Sequence, residues 1–144
     1  MLASKSASRR AVLESAGIPV DIEPADVDER GIEMRAGLEG PDRIAALRGN
    51  IHTLHSAVCV MRGDAVLFEN VDAAHLTMRP FSDGFLDSYL DAVGDKALAS
   101  VGSYQLEGTG IQLFERVDGD HFTVLGLPLL PLLDWLRQAG LLAK

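Results

Sequence analysis

Several common architectures are excluded by what this chain has little of. It holds one cysteine, Cys59, so no internal disulfide can staple it; a lone thiol in the apolar, alternating stretch 57–61 reads as buried rather than as a nucleophile. Lysine is confined to Lys5, Lys96 and Lys144, and 13 basic residues face 21 acidic ones, for a formal net charge of −8. Such a surface does not suit a nucleic-acid backbone, so no nucleic acid polymer is expected as a partner, and any bound anion must sit in a local pocket. No apolar run approaches the roughly 18 residues of a membrane span. The longest, 124–133, is interrupted by Gly126, Pro128 and Pro131, so no membrane is expected as a partner either. The opening MLASKSASRR has charges with no apolar stretch behind them, which reads as a cytoplasmic protein without a secretory signal.

What is present fits one domain over residues 1–144, with 47% apolar and 24% charged residues. Val12, Leu13 and Ala16 share one helix face, with Ser6 or Ser8 to cap its start and Gly17 to stop it. The stub 1–3 before it reads as strand, and 18–24, alternating between prolines, as an extended edge segment. Residues 42–47 predict a turn or two of helix. Alternation over 51–61 and 66–78 around Arg62-Gly63-Asp64 predicts a β-hairpin, and Ser82 opens an amphipathic helix that ends at Gly94. Residues 111–117 and 122–125 read as a second hairpin around Asp118-Gly119-Asp120, and 127–136 as a buried helix stopped near Gly140. The order predicts a mixed α/β fold with antiparallel pairings and flanking helices.

The strongest chemical signal is the strand-to-helix junction at the amino end. Serine hydroxyls, the free N–H groups of a helix start and guanidinium forks are all phosphate ligands. From composition alone, ordinary capping with solvated arginines is the commoner reading. Among the histidines, His52 and His55 are three apart, which on a strand puts them on opposite faces rather than in a zinc pair, and His75 and His121 read as surface or strand residues. Phe81, Phe85, Tyr89, Phe114, Phe122 and Trp135 recur at helix and strand periods and read as core.

LASKSASRRAVLESAGI, followed by PADVDE, resembles the opening of the Maf family of nucleoside triphosphate pyrophosphatases. Three later blocks continue the likeness in order: RGNIHTLHSAVCV, FSDGFLDSYL, and GSYQLEGTGIQLFERVDGDHFTVLGLPL. The resemblance implies a Maf-like sheet, a nucleoside triphosphate substrate cut between its α- and β-phosphates, a divalent metal cation such as Mg²⁺ or Mn²⁺, and association into a homodimer. It places Ser4, Ser6, Arg9 and Arg10 at the phosphates and Glu29 at the metal. It also places Glu107 where members acting on thymidine and uridine triphosphates carry Gln, and where the 7-methyl-GTP branch carries Glu. A carboxylate there can accept from the N–H donors of a guanine edge. One block has no counterpart. Between Glu29 and Arg48 the family carries a strand ending in its catalytic Asp, a Gly-Lys-Pro turn and a further helix, and here the chain passes from one block to the next without them. The resemblance as a whole implies a pyrophosphatase acting on a modified or 7-methylated nucleoside triphosphate with an impaired hydrolytic step, or else a nucleotide-binding or vestigial protein, and the missing stretch implies an uncovered sheet edge or face under 129–136.

Overall fold

The computed structural model describes residues 1–4, 6–23, 40–94 and 104–143. These fall into two compact units, one of residues 1–23, 53–74 and 118–143, the other of 40–52, 75–94 and 104–117. Three strands, β1 (Ile51–Arg62), β2 (Ala65–Met78) and β3 (Phe114–Asp118), form a sheet in that order. With helices around it, this is the mixed α/β architecture expected. β1 and β2 make the predicted hairpin through Gly63 and Asp64.

In the first unit, α1 (Ala7–Ser15) starts where Ser6 accepts the N–H of Arg9 and ends before Gly17. Its Val12 and Leu13 are buried with Leu127, Leu129 and Leu132. The latter two belong to α5 (Leu129–Gln138), whose Pro131 sits in the first turn, where the missing N–H would have had no intrahelical partner. Phe68 stacks on Trp135 with ring centroids 5.4 Å apart. The face under 129–136 is therefore filled. Among the described residues, exposed apolar side chains include Met61 (55%) and Val71 (70%) on the hairpin and Leu130 (50%) on the outer side of α5. The stub and the edge segment meet as one parallel bridge, Leu2 with Ile22.

Three sequence expectations are corrected here. Cys59 is exposed, because the even-numbered residues of β1 (His52, Leu54, Ser56, Val58, Val60) are the more buried set and a strand turns alternate side chains away from it. Residues 121–124 form a short helix, α4 (His121–Val124), rather than a strand: the Asp120 carboxylate accepts the N–H groups of Phe122 and Thr123 at 2.9 and 3.1 Å, which is helix capping and not a hairpin turn. Residues 109–113 form a 3₁₀ turn, so β3 begins only at Phe114.

In the second unit, α2 (Gly40–Leu47) and α3 (Asp83–Val93) pack against each other, and α3 also packs on the 3₁₀ turn. Ile44, Leu76, Met78 and Leu113 are almost wholly buried. Ser82 caps α3 at the N–H of Phe85, and Gly94 follows its last turn, as the sequence predicts. Tyr89 and Phe114 are core, whereas Phe81, Phe85, Phe122 and Trp135 are half-buried.

Candidate functional site

At the amino end of α1 the structure brings Ser4, Ser6 and Arg9 together. Ser4 Oγ accepts the Arg9 Nη1 proton at 3.0 Å and the Ser6 N–H at 3.3 Å, while Ser6 Oγ accepts the Arg9 N–H. Arg9 Nε donates to the carbonyl of Gly126 at 2.9 Å. Hydrogen bonds from a charged donor are each worth about 1.5–3 kcal/mol net, so the guanidinium is held in one orientation. Nη2 makes no hydrogen bond among the described residues. With the first N–H groups of a nine-residue helix, which lack intrahelical partners, the loop presents hydroxyls, amides and part of a guanidinium fork to an incoming anion.

Arg10 is turned the other way, along α1, with Nε 2.7 Å from Glu14 Oε1 and both side chains about half exposed. An exposed pair at this spacing is worth only about 0.3–0.5 kcal/mol, so a phosphate can draw Arg10 from it. Glu107 belongs to the second unit, exposed in a tight loop where Gly108 N–H donates to the carbonyl of Gln105 at 3.2 Å. A side chain at Gly110 would collide with that same carbonyl, so glycine is required there. Glu29 lies outside the described residues. The hollow of about 500 Å³ at the far end of α1 is lined by Glu14, Gly17, Pro19, Val20 and Asp21, and its two carboxylates do not suit a phosphate.

The sequence reading missed Gly126. It sits at φ +95°, a conformation side chains rarely adopt, although the space would take a Cβ at 3.5 Å from Arg9 Nε. The glycine within 124–133 was the available signal. Behind it, Thr123 is fully buried; its hydroxyl donates to Asp72 Oδ2 at 2.6 Å, and its carbonyl accepts from Ser56 Oγ at 2.7 Å. The Thr123 hydroxyl, with the Ala73 N–H, holds the Asp72 carboxyl below its ordinary range.

In the second unit His52 Nε2 meets Tyr104 Oη at 2.5 Å, and both rings pack on Phe114. His52 Nδ1 and the Tyr89 hydroxyl are buried and have no hydrogen-bond partner among the described residues. Burial raises the Tyr104 hydroxyl and lowers the His52 imidazole from its usual 6.5. A histidine depressed in the folded state takes up its proton more readily when unfolded, so stability is complete above pH 6.5 and falls as pH drops through the lowered value. Urea melts at pH 7.5 and 5.5 should show this loss. His52→Gln should flatten the part of the slope that lies below pH 6.5; an unchanged slope would assign that sensitivity to other groups.

Comparison with known proteins settles the ancestry. Residues 39–139 match the family model described as Maf-like protein. The chain belongs to the Maf family. It is 42% identical over 191 aligned residues to a nucleoside triphosphate pyrophosphatase of Rhodopseudomonas palustris, covering 99% of this chain and 95% of that one. A nucleoside triphosphate pyrophosphatase of Nitrobacter winogradskyi is 40% identical over the same shares, and a 7-methyl-GTP pyrophosphatase of Rhizobium meliloti 38% identical over 97% and 96%. An alignment of 191 positions against a chain of 144 residues leaves at least 47 positions of the Maf relative with nothing opposite them, inside the aligned span. Among the described residues no three of His, Cys, Asp or Glu gather to hold a metal, and no helix is long and apolar enough to cross a membrane. The described residues do not make a metal site.

Proposed function

We propose that this protein is a nucleoside triphosphate pyrophosphatase of the Maf type, converting a 7-methylated purine triphosphate to monophosphate and diphosphate with a slowed hydrolytic step. The observation that carries the reading is the Ser4–Ser6–Arg9 cluster at a helix start, in a chain whose relatives bear pyrophosphatase names. In it, Ser4, Ser6, Arg9 and Arg10 hold the triphosphate, and Glu29 is the carboxylate for a divalent cation, Mg²⁺ or Mn²⁺, brought with the substrate. Glu107 reads the base: a guanine edge offers two adjacent N–H donors, where uracil and thymine offer one. A cytoplasmic address and a homodimer belong to the same reading, the latter supported by the exposed Met61, Leu67 and Val71. The 47 or more missing positions favour a second reading, a nucleotide-binding protein with no turnover.

Diphosphate release from 7-methyl-GTP, dTTP and UTP tests the base assignment. The 7-methyl-GTP rate is expected to exceed the others, and Glu107→Gln should cut that preference about tenfold or more, the discrimination one bidentate contact supplies. Equal rates for all three, unchanged by the substitution, would remove Glu107 from the site. No diphosphate from any of them, with binding intact, would establish the second reading.

A further inference from the structure

The Arg9 guanidinium takes its direction from a carbonyl 117 residues away, in a turn that a hydrogen-bond network, buried at Ser56 and Thr123, ties to the hairpin. Gly126 N–H donates to the Thr123 carbonyl at 3.0 Å, and Leu127 N–H donates to the Phe122 carbonyl at 3.0 Å, which closes the chain into a compact turn behind α4. Thr123 ties the turn to both strands of the hairpin. Its carbonyl accepts from Ser56 on β1, and its hydroxyl donates to Asp72 on β2. Each Asp72 oxygen has a separate donor, Oδ2 the Thr123 hydroxyl and Oδ1 the Ala73 N–H. Asp120 holds the same turn from its front by capping Phe122 and Thr123. Through the backbone of Thr123 and of Gly126, these hydrogen bonds link Asp72 and Ser56 to Arg9 and Ser4. The network rigidifies the turn most strongly at its buried members, Ser56 and Thr123, where a lost partner leaves a buried polar group unsatisfied.

We propose that Thr123, braced by Asp72 and Ser56, is a positioning residue: it fixes the Gly126 carbonyl, and through it the orientation in which the Arg9 guanidinium meets a phosphate. The phosphate half of this inference rests on the function proposed above, whereas the control of Arg9 by Thr123 does not. Thr123 touches no reacting atom in this scheme. It acts because a guanidinium fork recognises phosphate oxygens only when its N–H vectors are aimed, and a misplacement of about 1 Å is enough to lose much of the interaction.

The test uses the whole chain, with inorganic tripolyphosphate as the probe and the Arg9 Nε–H as an internal reporter. Thr123→Val keeps the shape and removes the hydroxyl. It should speed solvent exchange of the Arg9 Nε–H, followed by NMR, and weaken tripolyphosphate binding about tenfold, while Thr123→Ser restores both. In an Arg9→Ala background the same Thr123→Val change should cost no further affinity, which a general loss of packing would not spare. If Thr123→Val does not fold, Asp72→Asn replaces it, since the amide nitrogen cannot accept and one of the two donors loses its partner. Wild-type exchange and affinity in the folded variant would overturn the inference, as would an undiminished effect without Arg9. Should the unaltered protein fail to bind tripolyphosphate while the variant still frees the Arg9 Nε–H, the phosphate reading falls and the control of Arg9 by Thr123 stands.

Discussion

With saturating 7-methyl-GTP and Mg²⁺ or Mn²⁺, the protein is expected to release diphosphate about 10²–10⁴-fold more slowly than its Maf relatives, the usual cost of removing a general base. In the proposed function the catalytic Asp of the Maf pattern would come from a strand between Glu29 and Arg48, where the resembling blocks of this sequence follow one another directly. At least 47 positions of the relatives have no residue here, enough to contain that strand, the Gly-Lys-Pro turn and the helix after it. Asp26 and Asp28 stand beside Glu29 in sequence, but a base must come within hydrogen-bond reach of the attacking water, and proximity in sequence does not supply that geometry. The measurement is kcat for this chain beside that of a relative under identical conditions. Grafting the relative's extra stretch between Glu29 and Arg48 should recover most of the deficit. A rate equal to the relative's, without the graft, would mean that another group activates the water.

Arg9→Ala should weaken binding of any triphosphate by about 10- to 100-fold, measured by calorimetry, since a hydrogen bond to a charged group is worth about 1.5–3 kcal/mol and Ser4 loses its charged donor as well. Arg9→Lys should recover only part of this. It keeps the charge, yet an ammonium cannot contact Ser4, Gly126 and a phosphate through one planar fork. Arg10→Ala should cost less, because Arg10 starts from its pairing with Glu14 and is not preoriented toward Ser4 or Ser6. Affinity unchanged by Arg9→Ala would place the phosphates elsewhere.

The helix starts and stops were legible because they are local. Ser6 and Ser82 cap the N–H three residues ahead, and this geometry needs nothing beyond the neighbouring chain. The first hairpin was legible for the same reason, as two alternating runs around Gly63-Asp64. The misreadings came where local signals allow two outcomes. Asp118-Gly119-Asp120 suits a hairpin turn, but Asp120 spends its carboxylate on capping α4, a choice made together with the Thr123 contacts to Ser56 and Asp72 on a distant hairpin. Cys59 lies in an apolar run, and only the packing of Val58 and Val60 against the core decides which set of alternate side chains turns outward.

By itself the sequence determined the family, the mixed α/β class and the gathering of serines and arginines at a helix start. Each follows from residues close together in the chain or from blocks in a set order. Only the tertiary structure decided that Arg9 is held by both Ser4 and the Gly126 carbonyl, that Arg10 turns to Glu14, and that Thr123 and Asp72 brace the turn containing Gly126. The direction of a guanidinium is set by which acceptor lies within about 3 Å of it, and an acceptor 117 residues away enters that range only when the chain folds.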